Sequence, residues 1–228
     1  MALLDLLLPR RCVTWRDPGE VVCALCVEAL PRLCAPLCER CGAPTAWPVP
    51  RCSECSGRRI AFASARAAVA YDASARALVG AWKERGQRSV AGLAAQLVVE
   101  ALEPPAGTVL VPVPPDADRG LKRGHHPAGR LARELAARWD LPVVDGLGRS
   151  RPARPQRGLS REDRRRNVAG AFVAPESVPR RVILVDDVYT TGATATAAAS
   201  ALRKAGARTV HVVTFARAVR GAGSRAWV

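Results

Sequence analysis

The residues best suited to chemistry form one short stretch in the last quarter of the 228-residue chain. Two adjacent carboxylates, Asp186 and Asp187, follow the apolar run Val182–Val185. Such a run predicts a strand buried on both faces, and open parallel sheets bind ligands beyond the carboxyl ends of their strands. A turn rich in hydroxyl groups then leads into a predicted helix. The residues of this turn are Thr190, Thr191, Gly192, Ala193 and Thr194.

The composition of this turn is suited to binding a phosphate group. Its backbone N–H groups, its threonine hydroxyls and the positive end of the following helix dipole can all face one anion. Gly192 allows the backbone to approach that anion closely. Carboxylates so near to a phosphate would repel it unless they accept hydrogen bonds from a sugar diol, directly or beside Mg²⁺. The stretch therefore predicts a ribose 5-phosphate site, and it matches neither the GxxxxGK[ST] loop nor the GxGxxG turn.

A second set of reactive groups lies near the N-terminus, where all eight cysteines fall between residues 12 and 55. A CxxC turn places two thiolates on one knuckle, and two such turns complete a tetrahedral Zn²⁺ site. Four thiolates leave no open coordination position, so the metal is expected to be structural. One complete set with this spacing is Cys38, Cys41, Cys52 and Cys55.

The remaining cysteines predict a second, less complete zinc site. Its proposed ligands are Cys12, Cys23 and Cys26, with Cys34 as a candidate fourth. The sequence also allows the CxxC pairs to interleave, and it leaves open disulfides or unligated buried thiols. A cysteine-rich segment is therefore expected over residues 1–60, followed by a larger domain over residues 61–228.

Strands and helices alternate after the cysteine-rich segment, which favours an α/β fold with a parallel sheet and helices on both faces. The predicted strands are Ala65–Tyr71, Thr108–Val113, Val182–Val185 and Thr209–Phe215, with Leu141–Val144 as a candidate short strand. The predicted helices are Ser74–Ala81, Val90–Leu102, Ala128–Trp139 and Thr194–Ala205, the first two separated by residues 82–86.

Residues 182–194 resemble the signature by which type I phosphoribosyltransferases bind 5-phosphoribosyl diphosphate (PRPP). The chain from Leu3 to about Arg217 resembles the ComF family, in which an N-terminal double zinc ribbon precedes an amidophosphoribosyltransferase-like domain. The resemblance implies that Asp186 and Asp187 hold the ribose hydroxyls and that residues 190–194 bind the 5-phosphate. Ala193 stands where threonine is commoner, which leaves the backbone donors unchanged.

Other family elements match more loosely. Pro112, Val113 and Pro114 fall in the loop that cups pyrophosphate, and Lys83 and Gly86 in a Lys-x-x-Gly element. The stretch that resembles the mobile catalytic loop contains Gln156, Leu159, Arg164 and Asn167, and we expect Arg164 to act in catalysis. The family's Arg-Gly-Phe-Asn-Gln motif is only half kept, since Arg123 and Gly124 are followed by His125, His126 and Pro127. These histidines either bind a phosphate or a substrate or are exposed loop residues.

The charge pattern favours an anionic partner. The chain has a formal net charge of +15, and eight arginines lie between residues 149 and 166. They form either a solvated basic loop or a loop that closes over a highly charged ligand. Nothing in the N-terminal residues resembles a good signal peptide, and no apolar run is long enough for a membrane span, so we expect a cytoplasmic protein.

The resemblance implies Mg²⁺-dependent transfer of the 5-phosphoribosyl group to an unidentified acceptor, which is glycosyltransferase chemistry of the pentosyl type. One alternative is a competence or DNA-uptake accessory protein that binds single-stranded DNA, with PRPP as a regulatory ligand. In that case the bases could stack on Trp15, Trp47 and Trp82. Another alternative is a sensor that binds PRPP without turnover.

Overall fold

A computed structural model describes residues 11–13, 20–84, 87, 89–104, 109–115, 126–150 and 170–219. The strands in these ranges are β1 (Ser64–Ala70), β2 (Val109–Pro112), β3 (Gly148–Arg149), β4 (Phe172–Val173), β5 (Arg181–Tyr189) and β6 (Thr209–Arg217). The helices are α1 (Ala24–Glu28), α2 (Ala73–Glu84), α3 (Ser89–Ala101), α4 (Pro127–Trp139) and α5 (Ala193–Lys204). None of the helices in the described ranges has the length and apolar character needed to cross a lipid bilayer.

The main sheet is parallel throughout, with the strand order β1-β6-β5-β2. This confirms the predicted α/β fold with a parallel sheet. β5 is an inner strand, and its residues Val182–Val185 are fully buried. Ile183 and Val185 pack towards one face of the sheet, whereas Val182 and Leu184 pack towards the other. Burial on both faces explains why this run is apolar at every position.

Different elements cover the two faces of the sheet. α2, α3 and α4 pack on the face of Ile183 and Val185. α5 packs on the opposite face, together with the cysteine-rich segment, so that Cys38 and Cys55 share one apolar core with Leu184. A short antiparallel pair, β3 with β4, lies outside the main sheet. The cysteine-rich segment therefore packs against the sheet as part of its core.

Two predicted boundaries and one candidate strand were wrong, and in the first two cases a long-range contact overrides the local pattern. β5 continues to Tyr189, since residues beyond Val185 still pair with β6. α2 continues to Glu84, because Trp82 is completely buried in the core and holds the last turn in place. The candidate strand Leu141–Val144 is reduced to a single bridge between Val143 and Leu110, since Pro142 has no N–H to extend the ladder.

Candidate functional site

The turn between β5 and α5 lies at the carboxyl end of a central strand, as the sequence predicts. It consists of Thr190, Thr191 and Gly192, and Gly192 caps the helix with a left-handed φ of 72°. The carbonyl of Gly192 accepts the N–H of Thr196 at 2.9 Å, which starts the helix. A Cβ at Gly192 would collide with the hydroxyl of Tyr189, so both the backbone angle and the space require glycine.

The acidic pair is part of β5 and meets a lysine from α2. Lys83 Nζ donates to Asp187 Oδ1 at 2.6 Å, and Asp187 is 8% exposed. The N–H of Asp187 donates to Asp186 Oδ1 at 2.9 Å. The extension of α2 beyond its predicted end places Lys83 at this position. The structure thus brings together Lys83, Asp186 and Asp187, although 104 residues separate the lysine from Asp187.

The pKa values of Asp186 and Lys83 are both raised above their ordinary values. Burial and the neighbouring charge of Asp187 raise the pKa of Asp186 to about 7. Burial opposes the charge on Lys83, but the carboxylates of Asp187 and Asp186 outweigh it and raise the pKa of the lysine. At neutral pH Asp186 is therefore about half protonated, and it lies beside a firmly charged ammonium group.

The predicted pyrophosphate loop follows β2, and hydrogen bonds from three parts of the chain hold it in place. The N–H of Val113 donates to the carbonyl of Val185 at 2.9 Å, and His126 Nε2 donates to the carbonyl of Val113 at 2.7 Å. Arg149 Nε donates to the carbonyl of Pro114 at 3.3 Å. Pro112, Pro114 and Pro115 have no N–H, so residues 112–115 offer no unused backbone donor to a phosphate. They form a wall of proline rings and carbonyl groups.

Several predicted site residues fall outside the described ranges. They are Gly86, Arg123, His125, Gln156, Leu159, Arg164 and Asn167. Within those ranges, His126 is half-buried and bonded to the pyrophosphate loop, so it is not the solvent-exposed loop histidine that the sequence allowed. Burial lowers the pKa of His126, which favours the neutral ring as donor to that carbonyl.

Four of the cysteines form a compact cluster. The Sγ atoms of Cys38, Cys41, Cys52 and Cys55 all lie within 4.8 Å of one another. Three of the separations are 3.5, 3.6 and 4.0 Å. Tetrahedral thiolates at ordinary Zn–S bond lengths are about 3.8 Å apart, so the donor set fits Zn²⁺. Burial opposes ionisation of Cys38, but backbone N–H groups of Cys41, Cys52 and Arg40 outweigh it and lower its pKa to about 7.

The second group of cysteines contains three thiols among the described residues. Cys12 Sγ lies 3.6 Å from Cys23 Sγ and 3.3 Å from Cys26 Sγ. Cys34 is exposed and belongs to neither group, so its suggested role as fourth ligand was wrong. The CxxC pair at 38/41 combines with the pair at 52/55, and Cys12 joins the pair at 23/26.

Comparison with known proteins agrees with this geometry. The phosphoribosyl transferase domain family matches residues 87–226. The chain is 31% identical over 203 residues to the DNA utilization protein YhgH of Salmonella typhimurium, covering 84% of this chain and 88% of that protein. It is 27% identical over 212 residues to competence protein ComFC of Bacillus subtilis, covering 85% of each. The chain belongs to the ComF family of phosphoribosyltransferase-like proteins.

A further ComF relative is competence protein F of Haemophilus influenzae, which is 40% identical over 114 residues. That alignment covers 48% of this chain and half of the Haemophilus protein. The ComF assignment accounts for both halves of the structure, an α/β phosphoribosyltransferase fold and a cysteine-rich segment with the ligand spacing of a zinc ribbon.

Some residues of this ComF protein's site carry no sequence signal that could have revealed them. Arg58 donates from Nη2 to the carbonyl of Thr191 at 2.6 Å, and Arg217 is buried between the cysteine cluster and Tyr189. Arg149 holds the pyrophosphate loop. Each is a single arginine in an arginine-rich chain, and its role depends on contacts distant in the sequence.

Proposed function

We propose that this protein binds PRPP together with Mg²⁺ and transfers its 5-phosphoribosyl group to an acceptor. The observation that carries the proposal is the left-handed Gly192 turn at the start of α5, which follows directly on the end of β5 that holds the half-buried Asp186 and the buried Asp187. A phosphate cradle beside buried acids suits a ligand that is anionic at one end and has a diol nearby.

Each residue of the site has a proposed role. Asp186 and Asp187 accept hydrogen bonds from the ribose hydroxyls, and residues 190–194 bind the 5-phosphate. Lys83, which neutralises Asp187 in the ligand-free protein, can turn to the pyrophosphate when the diol occupies the acids. Residues 112–114 limit where the pyrophosphate can lie. Because these residues have no free N–H group, side-chain cations supply the hydrogen bonds to the pyrophosphate.

The transfer itself consists of one bond breaking and one forming. The C1′–O bond to pyrophosphate breaks with its electron pair leaving on the oxygen, and a nucleophile on the acceptor forms the new bond to C1′. Lys83, Arg123 and Arg164 are proposed to stabilise the negative charge that develops on the departing pyrophosphate. Mg²⁺ would neutralise part of that charge, with the carboxylate oxygens of Asp186 and Asp187 the hard donors suited to holding it nearby.

The cysteine clusters are proposed to hold structural Zn²⁺. The four-thiol cluster leaves no open position, and its residues are largely buried in the core beside the sheet. The second group, Cys12, Cys23 and Cys26, would hold a second ion. All eight cysteines lie in the described ranges and none of them forms a disulfide, which suits the reducing conditions of a cytoplasmic protein.

Calorimetry with PRPP and MgCl₂ tests the proposed ligand. We expect binding with a Kd of about 1–100 μM, a range usual for substrate sites, and much weaker binding of ribose 5-phosphate or ATP. Incubation with bases, amines and ammonia should then show Mg²⁺-dependent release of pyrophosphate. PRPP binding without turnover on any acceptor would favour a sensor, whereas no heat at about 1 mM PRPP would reject the site altogether.

A second candidate function, binding of single-stranded DNA, is favoured by a basic groove beside the same helix. The groove has a volume of about 500 Å³ and lies between α5 and the cysteine-rich segment. Its lining includes the cationic residues Arg58, Arg59 and Lys204, together with Thr196 and Ser200 of α5. Cations and hydroxyls along a helix suit a phosphate backbone.

The suggested base-stacking residues differ sharply in exposure. Trp47 is 68% exposed and available to a nucleic acid. Trp82 belongs to α2 and its side chain is 0% exposed in the core, so the suggestion that it stacks a base was wrong. Trp15 lies outside the described residues.

Salt titration of oligonucleotide binding tests this second function. Contact of about three phosphates with the groove predicts a slope of roughly −2 in a plot of log K against log salt concentration. The double variant Arg59→Ala, Lys204→Ala should reduce the slope by about 1 to 1.4. Binding that is undetectable at low salt, or a slope unchanged in the variant, would remove the groove from consideration.

A further inference from the structure

The buried side chain of Arg217 joins the cysteine-rich segment to the end of β5. Arg217 is the last residue of β6, pairs in register with Tyr189 and is 1% exposed. A guanidinium so deeply buried needs fixed partners. Those partners come from the cysteine-rich segment, since Nη1 donates to the carbonyl of Cys41 at 2.6 Å and Nη2 to Glu54 Oε2 at 3.1 Å.

Tyr189 contacts both Arg217 and the turn at residues 190–192, which is called the phosphate turn below. The guanidinium of Arg217 lies over its ring at 4.9 Å, and Phe62 meets the ring edge-to-face at 6.2 Å between centroids. The hydroxyl end of the same ring lies against Gly192, where it leaves no space for a Cβ. Tyr189 therefore supports the turn directly, and it is itself held by Arg217, whose own hydrogen-bond partners lie in the cysteine-rich segment.

Arg58 makes a second, direct connection. Its Nη2 donates to the carbonyl of Thr191 at 2.6 Å, and its Nη1 donates to the carbonyl of Glu54 at 3.1 Å. A carbonyl that is free to rotate in this turn could face the bound phosphate and repel it. Because Arg58 holds the carbonyl of Thr191 in a hydrogen bond, that oxygen is not free to rotate towards an anion bound by the N–H groups of the turn.

We infer that Arg58 and Arg217 are positioning residues through which the zinc-binding knuckle, residues 38–55, fixes the phosphate turn. Cys41 supplies both a metal ligand and the carbonyl that holds Arg217, and its Sγ lies 3.7 Å from Nη2. Glu54 lies next to Cys55 and contacts both arginines. The ordered knuckle thus sets the geometry that the ligand meets. The nature of that ligand, PRPP, rests on the proposed function.

Hydrogen exchange in the full-length, zinc-containing protein tests this inference without any ligand. Two amides report on the ends of the turn: the N–H of Thr196, bonded to Gly192, and the N–H of Ala218, bonded to Tyr189. Arg58→Ala should speed exchange at Thr196 by about five- to tenfold while zinc content stays unchanged. Glu54→Gln, which removes the charged partner of Arg217, should speed exchange at Ala218.

The control is Arg180→Ala, which also removes one arginine charge. Arg180 is exposed and lies just before β5, at the end of the strand opposite the turn, so both amides should exchange at wild-type rates in this variant. Wild-type exchange at both amides in Arg58→Ala and Glu54→Gln would overturn the inference. In a second arm, Arg58→Ala should weaken PRPP binding by about tenfold. If the wild-type protein binds no PRPP, the proposed ligand is wrong, and the exchange experiment still decides the role of the arginines.

Discussion

Replacing Asp186 with asparagine should weaken PRPP binding by about 100-fold and, at pH 8, make the protein more resistant to heat. The first effect follows because an amide cannot replace a carboxylate in accepting two strong hydrogen bonds from the diol or in favouring Mg²⁺ nearby. A loss of this size corresponds to about 2.7 kcal/mol. The second effect follows because burial and Asp187 make the ionised form of Asp186 unfavourable in the folded protein.

The stability gain should depend on pH in a defined direction. The pKa of Asp186 is about 7 in the folded protein, against 3.8 as its ordinary value. The folded state therefore keeps a proton that the unfolded chain has lost, and its stability falls as the pH rises from about 4 to 7. The amide of the variant does not titrate, so Asp186→Asn should match the wild type at pH 4 and exceed it above pH 7. A pKa raised from 3.8 to about 7 sets the gain at up to about 4 kcal/mol, or up to roughly 16 °C in Tm.

Thermal melts at pH 4, 6 and 8, with calorimetry of PRPP binding at pH 8, measure both effects. Glu176→Gln is a suitable control, because it removes one carboxylate from an exposed position away from the turn. A variant that loses stability at pH 8, or one that binds PRPP as the wild type does, would show that Asp186 is an ordinary structural residue.

The sequence was sufficient to locate the turn between β5 and α5, because the strand and the glycine that begin it are specified locally. Four buried apolar residues specify the strand, and Gly192 supplies the one left-handed angle of the turn. The same holds for the four-cysteine cluster, in which two CxxC turns place their thiols by short-range geometry. Where a local structure is encoded within about twenty residues, spacing and residue type are enough to predict it.

The rest of the site depends on contacts between distant segments. Lys83 reaches Asp187 only because burial of Trp82 extends α2 past its predicted end. Arg58 and Thr191 are 133 residues apart, and Arg217 and Cys41 are 176 apart. Nothing in the local pattern distinguishes these arginines from the solvated ones. The docking of the cysteine-rich segment on the sheet, which brings them to the turn, is a result of tertiary packing alone.

Replacing Cys41 with serine should remove one zinc ion per chain and lower the Tm by about 10 °C or more. Binding of a structural zinc ion contributes directly to folding free energy, with apparent values of about 10–16 kcal/mol in isolated zinc-finger peptides. In this chain part of the segment's order comes from the sheet, so a smaller loss is expected. Cys41 is 2% exposed, and a serine there leaves a polar group in an apolar core with a weakened metal site.

Cys34→Ser provides a matched control, since it makes the same chemical change at an exposed cysteine outside both clusters. It should retain the zinc content and the Tm of the wild type. Metal analysis and calorimetric melting of the three proteins would settle the comparison. Wild-type zinc content in Cys41→Ser would exclude this cysteine as a ligand.

The number of transitions in the melting curve tests whether the cysteine-rich segment and the sheet unfold together. Cys38 and Cys55 share one apolar core with Phe62, Leu184 and α5, so loss of the metal disturbs the same core that supports the phosphate turn. The wild-type protein should therefore melt in a single cooperative transition, as a chain with one shared core does. An early transition limited to the cysteine-rich segment in Cys41→Ser, with the sheet melting at the wild-type temperature, would instead mean that the segment is an independent module whose metal stabilises only itself.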